Sequence, residues 1–304
     1  MIKKSKWFAL PLAVLLVLVF VLAGCTTNAT STPTTTATAT PASTATSSPT
    51  KTATAKATAT GLSGNITEAG STTVQPVAES IAAAFMAKYP EVKVVIQGGG
   101  SGVGVKSVAE GTVDIGAASR ELTNDEKALG IVDHVIARDG IAIIAHSSQM
   151  VSGLTKSQVK DIFSGAITNW SQLGGANKTI HVVAREEGSG TRAAFEEMVM
   201  GKDAVITATA ILQSSNGALK TTVAGDPDAI GFLSFGYLDS SVKALDIDGI
   251  AGTVANAKNG TYPIVRPLLF LTKGEPEGLV KEFINFCLGP EGQAIVAKDY
   301  ISLN

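Results

Sequence analysis

Cysteine is nearly absent: the 304 residues contain two, Cys25 and Cys287. Cys287 sits in an apolar stretch with Phe283, Ile284, Phe286 and Leu288 and reads as core packing, so no intrachain disulfide framework is expected. An excess of charge of either sign is missing as well. The formal net charge is −2, and lysine and arginine are scattered without a basic stripe, so nothing calls for a nucleic-acid partner and none is expected. Histidine is scarce; His134, His146 and His181 lie far apart with no cysteine or carboxylate at metal-ligand spacing, so no metal is expected. Nucleotide and hydrolase signatures fail too. The glycine loop at Gly100 to Ser107 has Val105 before Lys106, where a P-loop needs glycine, and it matches GxGxxG in no register. A GxSxG elbow around Ser189 would need glycine at 187, where Glu187 stands. No cofactor and no enzymatic activity are expected.

The N-terminus is the one long apolar run. Lys3, Lys4 and Lys6 precede an almost unbroken stretch from Trp7 to Ala23, which ends in Leu22-Ala23-Gly24-Cys25. A run of that length is just short of a membrane span, and its small residues before a cysteine fit a lipoprotein signal peptide over residues 1–25, with the thiol of Cys25 acylated after cleavage. Two acyl chains would hold the protein stably at the outer face of the cell membrane. Residues 26–60 are almost entirely threonine, alanine, serine and proline, too poor in large side chains to offset the entropy of ordering. They are expected to form a disordered tether that averages roughly 30–40 Å end to end.

From Gly61 the pattern becomes short β-branched runs alternating with amphipathic segments, which predicts an α/β fold with mixed sheets. Val77, Ile81, Phe85 and Tyr89 predict a helix between Pro76 and Pro90, and Val92 to Ile96 a strand. A short helix is expected around Val105 to Glu110 and a strand at Val113 to Gly116. Thr123 with Glu126 and Thr155 with Gln158 are capping boxes that open two helices. Ile180 to Ala184 reads as a strand, Thr191 to Met200 as a helix stopped by Gly201, and Val265 to Thr272 as a strand before helices at 278–288 and 290–298. Trp170 falls on a glycine-rich surface loop.

Three loops share one design, a strand end followed by glycine and hydroxyl residues and then a helix. They are Gly70-Ser71-Thr72-Thr73, Gly100-Ser101-Gly102 and Gly188-Ser189-Gly190-Thr191. Helix N-termini offer unpaired N–H groups and the positive end of the dipole, hydroxyls add directed donors, and glycine permits close approach. Each loop alone is equally well an ordinary N-cap. Together, with Arg185 four residues before Ser189, they describe an anion cradle; the competing reading of Arg185 is a surface pair with Glu186 or Glu187.

These motifs, with Asp114 to Arg120, Arg138-Asp139-Gly140, Asp161 to Gly165, Asn169-Trp170, Ala229 to Phe232 and Pro290 to Gln293, run in order from Ile66 to the end. In that combination the chain resembles the phosphate-binding proteins of phosphate-specific ABC transporters. The resemblance implies a two-lobed fold of the class II periplasmic-binding type, with lobe 1 over 61–148 and 256–304, lobe 2 over 149–255, and phosphate held in the cleft between them. It implies contacts from Thr72, Thr73, Ser101, Arg185, Ser189, Gly190 and Thr191, with Ser71 as a neighbour and Arg120 as a second cation. It also implies an ABC transporter permease as partner and a monomeric state. Ser119 stands where some members carry an aspartate that accepts the proton of hydrogen phosphate and repels sulfate. Asp139 is then either the substitute acceptor or a structural ion pair. A receptor for sulfate or molybdate, a phosphate sensor without a transporter, and an enzyme using Ser189 or Thr191 as nucleophile are the alternatives.

Overall fold

Residues 61–304 are described by a computed structural model; the expected signal peptide, Cys25 and the tether lie outside them. The first parallel pair arises because a strand, a helix and a strand follow one another with little loop between. β1 (Gly64–Gly70) leads into α1 (Gln75–Lys88), which returns the chain so that β2 (Val92–Gly98) lies parallel to β1 with Gly64 opposite Val92. α1 buries Val77, Ala78, Ile81, Ala82 and Phe85 on one face and carries Pro76 in its first turn, where a missing N–H removes no helical bond. α2 (Ser101–Ala109) starts four residues earlier than the sequence pattern predicts, directly from Gly100. β3 (Ile115–Ala118) then adds to the other side of β1.

The capping boxes open α3 (Asn124–Lys127) and α4 (Lys156–Ser164), with Thr123 and Thr155 accepting from the N–H three residues on and Glu126 and Gln158 bonding back. Between them runs β4 (Ile131–His146), whose sixteen residues serve two regions of sheet. Its first ten residues pair antiparallel with β10 (Val265–Lys273), and Ile141 onward pairs with β8 (Ala229–Ser234) and β9 (Val242–Ile247). With β5 (Gly153–Leu154), β6 (His181–Arg185) and β7 (Ile211–Gln213), the strand order is β2-β1-β3-β10-β4-β8-β6-β7, and β9 joins β4 to β5.

Two main hydrophobic cores follow from that path. One draws on Ile66 to Ala137 and Leu268 to Tyr300, including the aromatic contacts of Phe85 and Phe270 with Phe283. The other draws on Ile141 to Ile264, with Phe195 stacked on Phe232 at 4.1 Å. The chain passes from one core to the other at Arg138–Gly140 in β4 and back at Val265–Pro267 in β10. α5 (Gly190–Phe195), α6 (Asn216–Gly225) and α7 (Val254–Lys258) pack on the second core, α8 (Gly278–Leu288) and α9 (Pro290–Val296) on the first.

Three further local expectations change. The helix expected over Thr191 to Met200 is α5 followed by a wider, π-type turn at Glu196–Met200, ended by Gly201. Trp170 lies in no surface loop: it is fully buried in a short 3-10 turn, and its indole N–H donates to the Asp228 carbonyl at 2.9 Å. The apolar indole face outweighs the polarity of its glycine-rich neighbours, and its single donor finds a partner. The last helix ends at Val296, short of Lys298. Among the described residues no helix is long and apolar enough to cross a membrane.

Candidate functional site

Where the two cores meet, buried polar side chains gather: Ser71, Thr72, Thr73, Ser101, Ser119, Asp139, Arg185, Ser189, Thr191, Asn216, Ser234 and Arg266 are all under one tenth exposed. Buried polar groups need partners to be tolerated, and nearly all of these have them.

The first loop turns from β1 into α1 because Ser71 Oγ accepts the N–H groups of Thr73 (3.2 Å) and Val74 (3.4 Å). Its carbonyls are pinned from outside: Tyr237 donates to Thr72 O at 2.7 Å and Tyr300 to Thr73 O at 3.1 Å. Thr73 Oγ1 is the centre of the cluster. It accepts from Asn216 Nδ2 (2.9 Å) and Arg266 Nη2 (3.0 Å) and lies 3.1 Å from Thr191 Oγ1, so it ties the first loop to the third. Asn216 Nδ2 also reaches Thr72 Oγ1 at 3.3 Å, while its Oδ1 accepts the Ser234 N–H at 3.3 Å.

The second loop places Ser101 at the first turn of α2, where its Oγ accepts the Ser119 N–H at 3.0 Å. In the third, Ser189 caps α5 by accepting the Arg192 N–H at 3.2 Å, and Gly188 holds a left-handed φ of 82°. The Gly102 N–H donates to Gly188 O at 2.9 Å, so the second and third loops are in direct contact. Gly190 sits against both serines: a β-carbon there would overlap Ser101 Oγ and come within 2.6 Å of Ser119 Oγ.

Two guanidiniums are buried, Arg266 against these hydroxyls and Arg185 close enough to repel it. Arg185, the last residue of β6, donates from Nε to Gln213 O (2.9 Å) and from Nη2 to Ser214 O (3.0 Å) and Glu186 Oε1 (3.2 Å). Its Nη1 makes no hydrogen bond among the described residues. Burial lowers its pKa, against the pull of Glu186. Arg266 pairs with Asp139 at 3.0 Å, the two standing directly opposite on β10 and β4, and donates from Nη1 to Ser119 O (3.1 Å) and Oγ (3.3 Å). Burial pulls its pKa down and Asp139 pushes it up; Arg185 is close enough to lower it further by repulsion. Burial raises the Asp139 carboxyl, with Arg266 opposing.

Of the residues expected at the site, Ser71, Thr72, Thr73, Ser101, Ser119, Asp139, Arg185, Ser189, Gly190 and Thr191 come together. Arg120 does not. It is partly exposed and makes a two-pronged pair with Glu126 at 2.7 Å, the same carboxylate that closes the α3 capping box. Asp139 lies within the cluster and is paired with Arg266. Arg266, Asn216 and Tyr237 were not foreseen. A lone arginine in the apolar strand Val265 to Leu271 is a signal of a buried partner, and Ser215-Asn216-Gly217 repeats the hydroxyl and glycine pattern of the other loops, with Ser215 capping α6. The histidines stay apart: His134 bonds Thr272, His146 bonds Ser148 and His181 pairs with Asp226.

The chain matches the family model for a PBP superfamily domain over residues 31–291. It is 37% identical over 242 residues to the phosphate-binding protein PstS of Bacillus subtilis, covering 78% of this chain and 79% of that protein. It is 30% identical to phosphate-binding protein PstS of Pseudomonas aeruginosa over 275 residues, 81% of this chain and 85% of the relative. Among solved structures, a substrate-binding protein of the phosphate ABC transporter kind from Clostridium perfringens, solved with bound phosphate, superposes with a TM-score of 0.77 at 43% identity, over 79% of this chain and all of that one. An ABC-type phosphate transport receptor from Vibrio cholerae gives 0.66 at 35%, again over 79% of this chain and all of that one. Two cores joined by two crossing strands, a polar junction between them and these matches along most of the chain place it in one group: the chain belongs to the PBP superfamily, in the family of the phosphate-binding proteins PstS.

Proposed function

We propose that the protein captures inorganic phosphate in the cleft between its two lobes and delivers it to a phosphate ABC transporter, without covalent chemistry. One observation carries the reading. Arg185 and Arg266 are both buried and close enough to repel each other, Asp139 pairs with Arg266 while Arg185 has only the partly exposed Glu186, and Arg185 Nη1 makes no hydrogen bond among the described residues. An oxyanion supplies the missing negative charge and accepts the spare donors. In this reading Thr72, Thr73, Ser101, Ser119, Arg185, Ser189, Gly190 and Thr191 touch the ligand. Ser71 shapes the first loop, and Asp139 with Arg266 holds the junction.

The lobes close by differential contact, since donors from both meet on one anion, and the closed shape is what a permease partner recognises. Lobe 1 is formed by residues 61–148 and 256–304 and lobe 2 by 149–255, with the two crossing strands as hinge. The protein works outside the cytoplasm as a monomer, held at the membrane by acylated Cys25 with residues 26–60 as tether. The named relatives and the phosphate-bound neighbour support phosphate as the ligand.

The test is calorimetric titration of the full-length protein with phosphate. Arg185→Ala loses a charge-assisted bond worth about 1.5–3 kcal/mol, so affinity is expected to fall about 10- to 150-fold. Near-native affinity in that variant would remove Arg185 from the site.

A further inference from the structure

Hydrogen bonds of two kinds cross the polar junction. The first kind ends on hydroxyls: Asn216 Nδ2 donates to Thr72 Oγ1 and Thr73 Oγ1, and Thr191 Oγ1 shares a hydrogen with Thr73 Oγ1. An anion arriving in the cleft draws hydroxyl hydrogens to itself, so these bonds are remade when it binds. The second kind ends on backbone carbonyls: the Tyr237 hydroxyl donates to Thr72 O at 2.7 Å and the Gly102 N–H to Gly188 O at 2.9 Å. A carbonyl has no hydrogen to give an anion, so Thr72 O stays open to a donor from the other core whether or not a ligand is present.

Tyr237 is brought to Thr72 from the second core. It closes the 3-10 turn Phe235–Tyr237 directly after β8, and the turn starts where Ser234 Oγ and the Phe235 N–H both donate to Asp139. Its ring packs on the second core beside Gly217 at the start of α6. Gly236 passes so close to Tyr300 of the first core that a β-carbon there would overlap the Tyr300 hydroxyl, so glycine lets the turn reach Thr72. Burial, then Glu79, pushes the Tyr237 pKa up to about 12 against the opposing Arg185, so the phenol keeps the one hydrogen it has to donate.

We propose that Tyr237 is a positioning residue that latches the junction: by bonding the Thr72 carbonyl across it, the hydroxyl favours closure without help from the anion and slows the anion's release. The inference rests on the closing cleft proposed above and assigns it a residue that need not touch the ligand. The anion enters while the lobes are apart, before this bond forms, so the hydroxyl bears on release and hardly on entry. One neutral hydrogen bond shifts such an equilibrium by about 2- to 13-fold.

The experiment compares the wild-type full-length protein with Tyr237→Phe, which removes the hydroxyl and keeps the ring. The Gly102 amide reports the junction, because it lies in the first turn of α2, where the helix offers it no carbonyl, and its partner is Gly188 O on the other side. The Ser119 amide is the control, since it bonds Ser101 Oγ on its own side of the junction. Without phosphate, hydrogen-exchange protection of Gly102 is expected to fall about 2- to 13-fold in the variant and that of Ser119 less than about twofold. Release of bound radioactive phosphate, chased with unlabelled phosphate, should quicken by about the same 2- to 13-fold, with the association rate within about twofold of wild type. Unchanged Gly102 exchange or unchanged release overturns the inference. Equal loss of protection at both amides, or a variant that does not fold, would make the hydroxyl a general structural contact and overturn it as well. Failure of the wild-type protein to bind phosphate overturns the functional reading instead, and the exchange comparison, which needs no ligand, then decides the latch.

Discussion

Replacing Asp139 by asparagine tests the division of labour at the junction. The carboxylate is fully buried and accepts four hydrogen bonds, two of them from Arg266, which is itself only 3% exposed. Asparagine keeps the shape, removes the charge and turns an amide N–H₂ toward one set of donors. A guanidinium left buried without its counter-charge costs about 3–5 kcal/mol. For a folded part of this size each kcal/mol lowers the melting temperature by about 2–4 °C, so Asp139→Asn should melt about 6–20 °C below wild type. Thermal unfolding followed by circular dichroism reads this directly. Because the Asp139 lone pairs all face protein donors, the ratio of phosphate to sulfate affinity should stay within about tenfold of wild type even if both affinities drop. A melting temperature within about 2 °C of wild type, or a large change in that ratio, would refute the structural assignment.

Two further perturbations address other parts of the molecule. Glu68 is buried in β1 with neither carboxylate oxygen hydrogen-bonded among the described residues, and burial, then Glu79, raises its pKa well above the ordinary value. Between the unfolded and the folded pKa the folded state holds a proton that the unfolded chain has already released, so the stability Glu68 contributes is full below the unfolded pKa and is lost as pH rises through the folded one. Glu68→Met should stabilise the fold by about 1–3 kcal/mol at pH 7, with the gain shrinking toward pH 4; a melting-temperature difference that does not vary with pH would contradict this. Gly190→Ala should lower phosphate affinity at least about tenfold with little loss of stability, since its β-carbon would strike Ser101 and Ser119 across the lobe contact, and unchanged affinity would mean that closure does not bring these loops together.

Much of the fold is legible because local patterns act locally. The period-four apolar face of α1 and the capping boxes of α3 and α4 depend on neighbours within one or two turns. Helix boundaries were less readable: α2 begins at Ser101 because contact with Gly188 and Ser119 organises its first turn, and those residues are distant in sequence. The same limit applies to the site. The hydroxyl and glycine loops could be found one at a time, whereas the partner of Asp139 lies 127 residues away and emerges only when β4 and β10 pair. Arg120, attractive by its position after Ser119, was claimed by a carboxylate six residues on.

The pairing of Asp139 with Arg266 has one more consequence. They stand opposite each other on the two strands by which the chain leaves one core and returns from the other, so the strongest electrostatic bond in the polar junction holds the pivot. Closure can change the contacts made by Thr191, Gly188 and Asn216 while the bond at the pivot stays made. The loops that meet across the junction can then change by single substitutions at residues that bond neither Arg266 nor Asp139, and the mechanics of the pivot stay as they are.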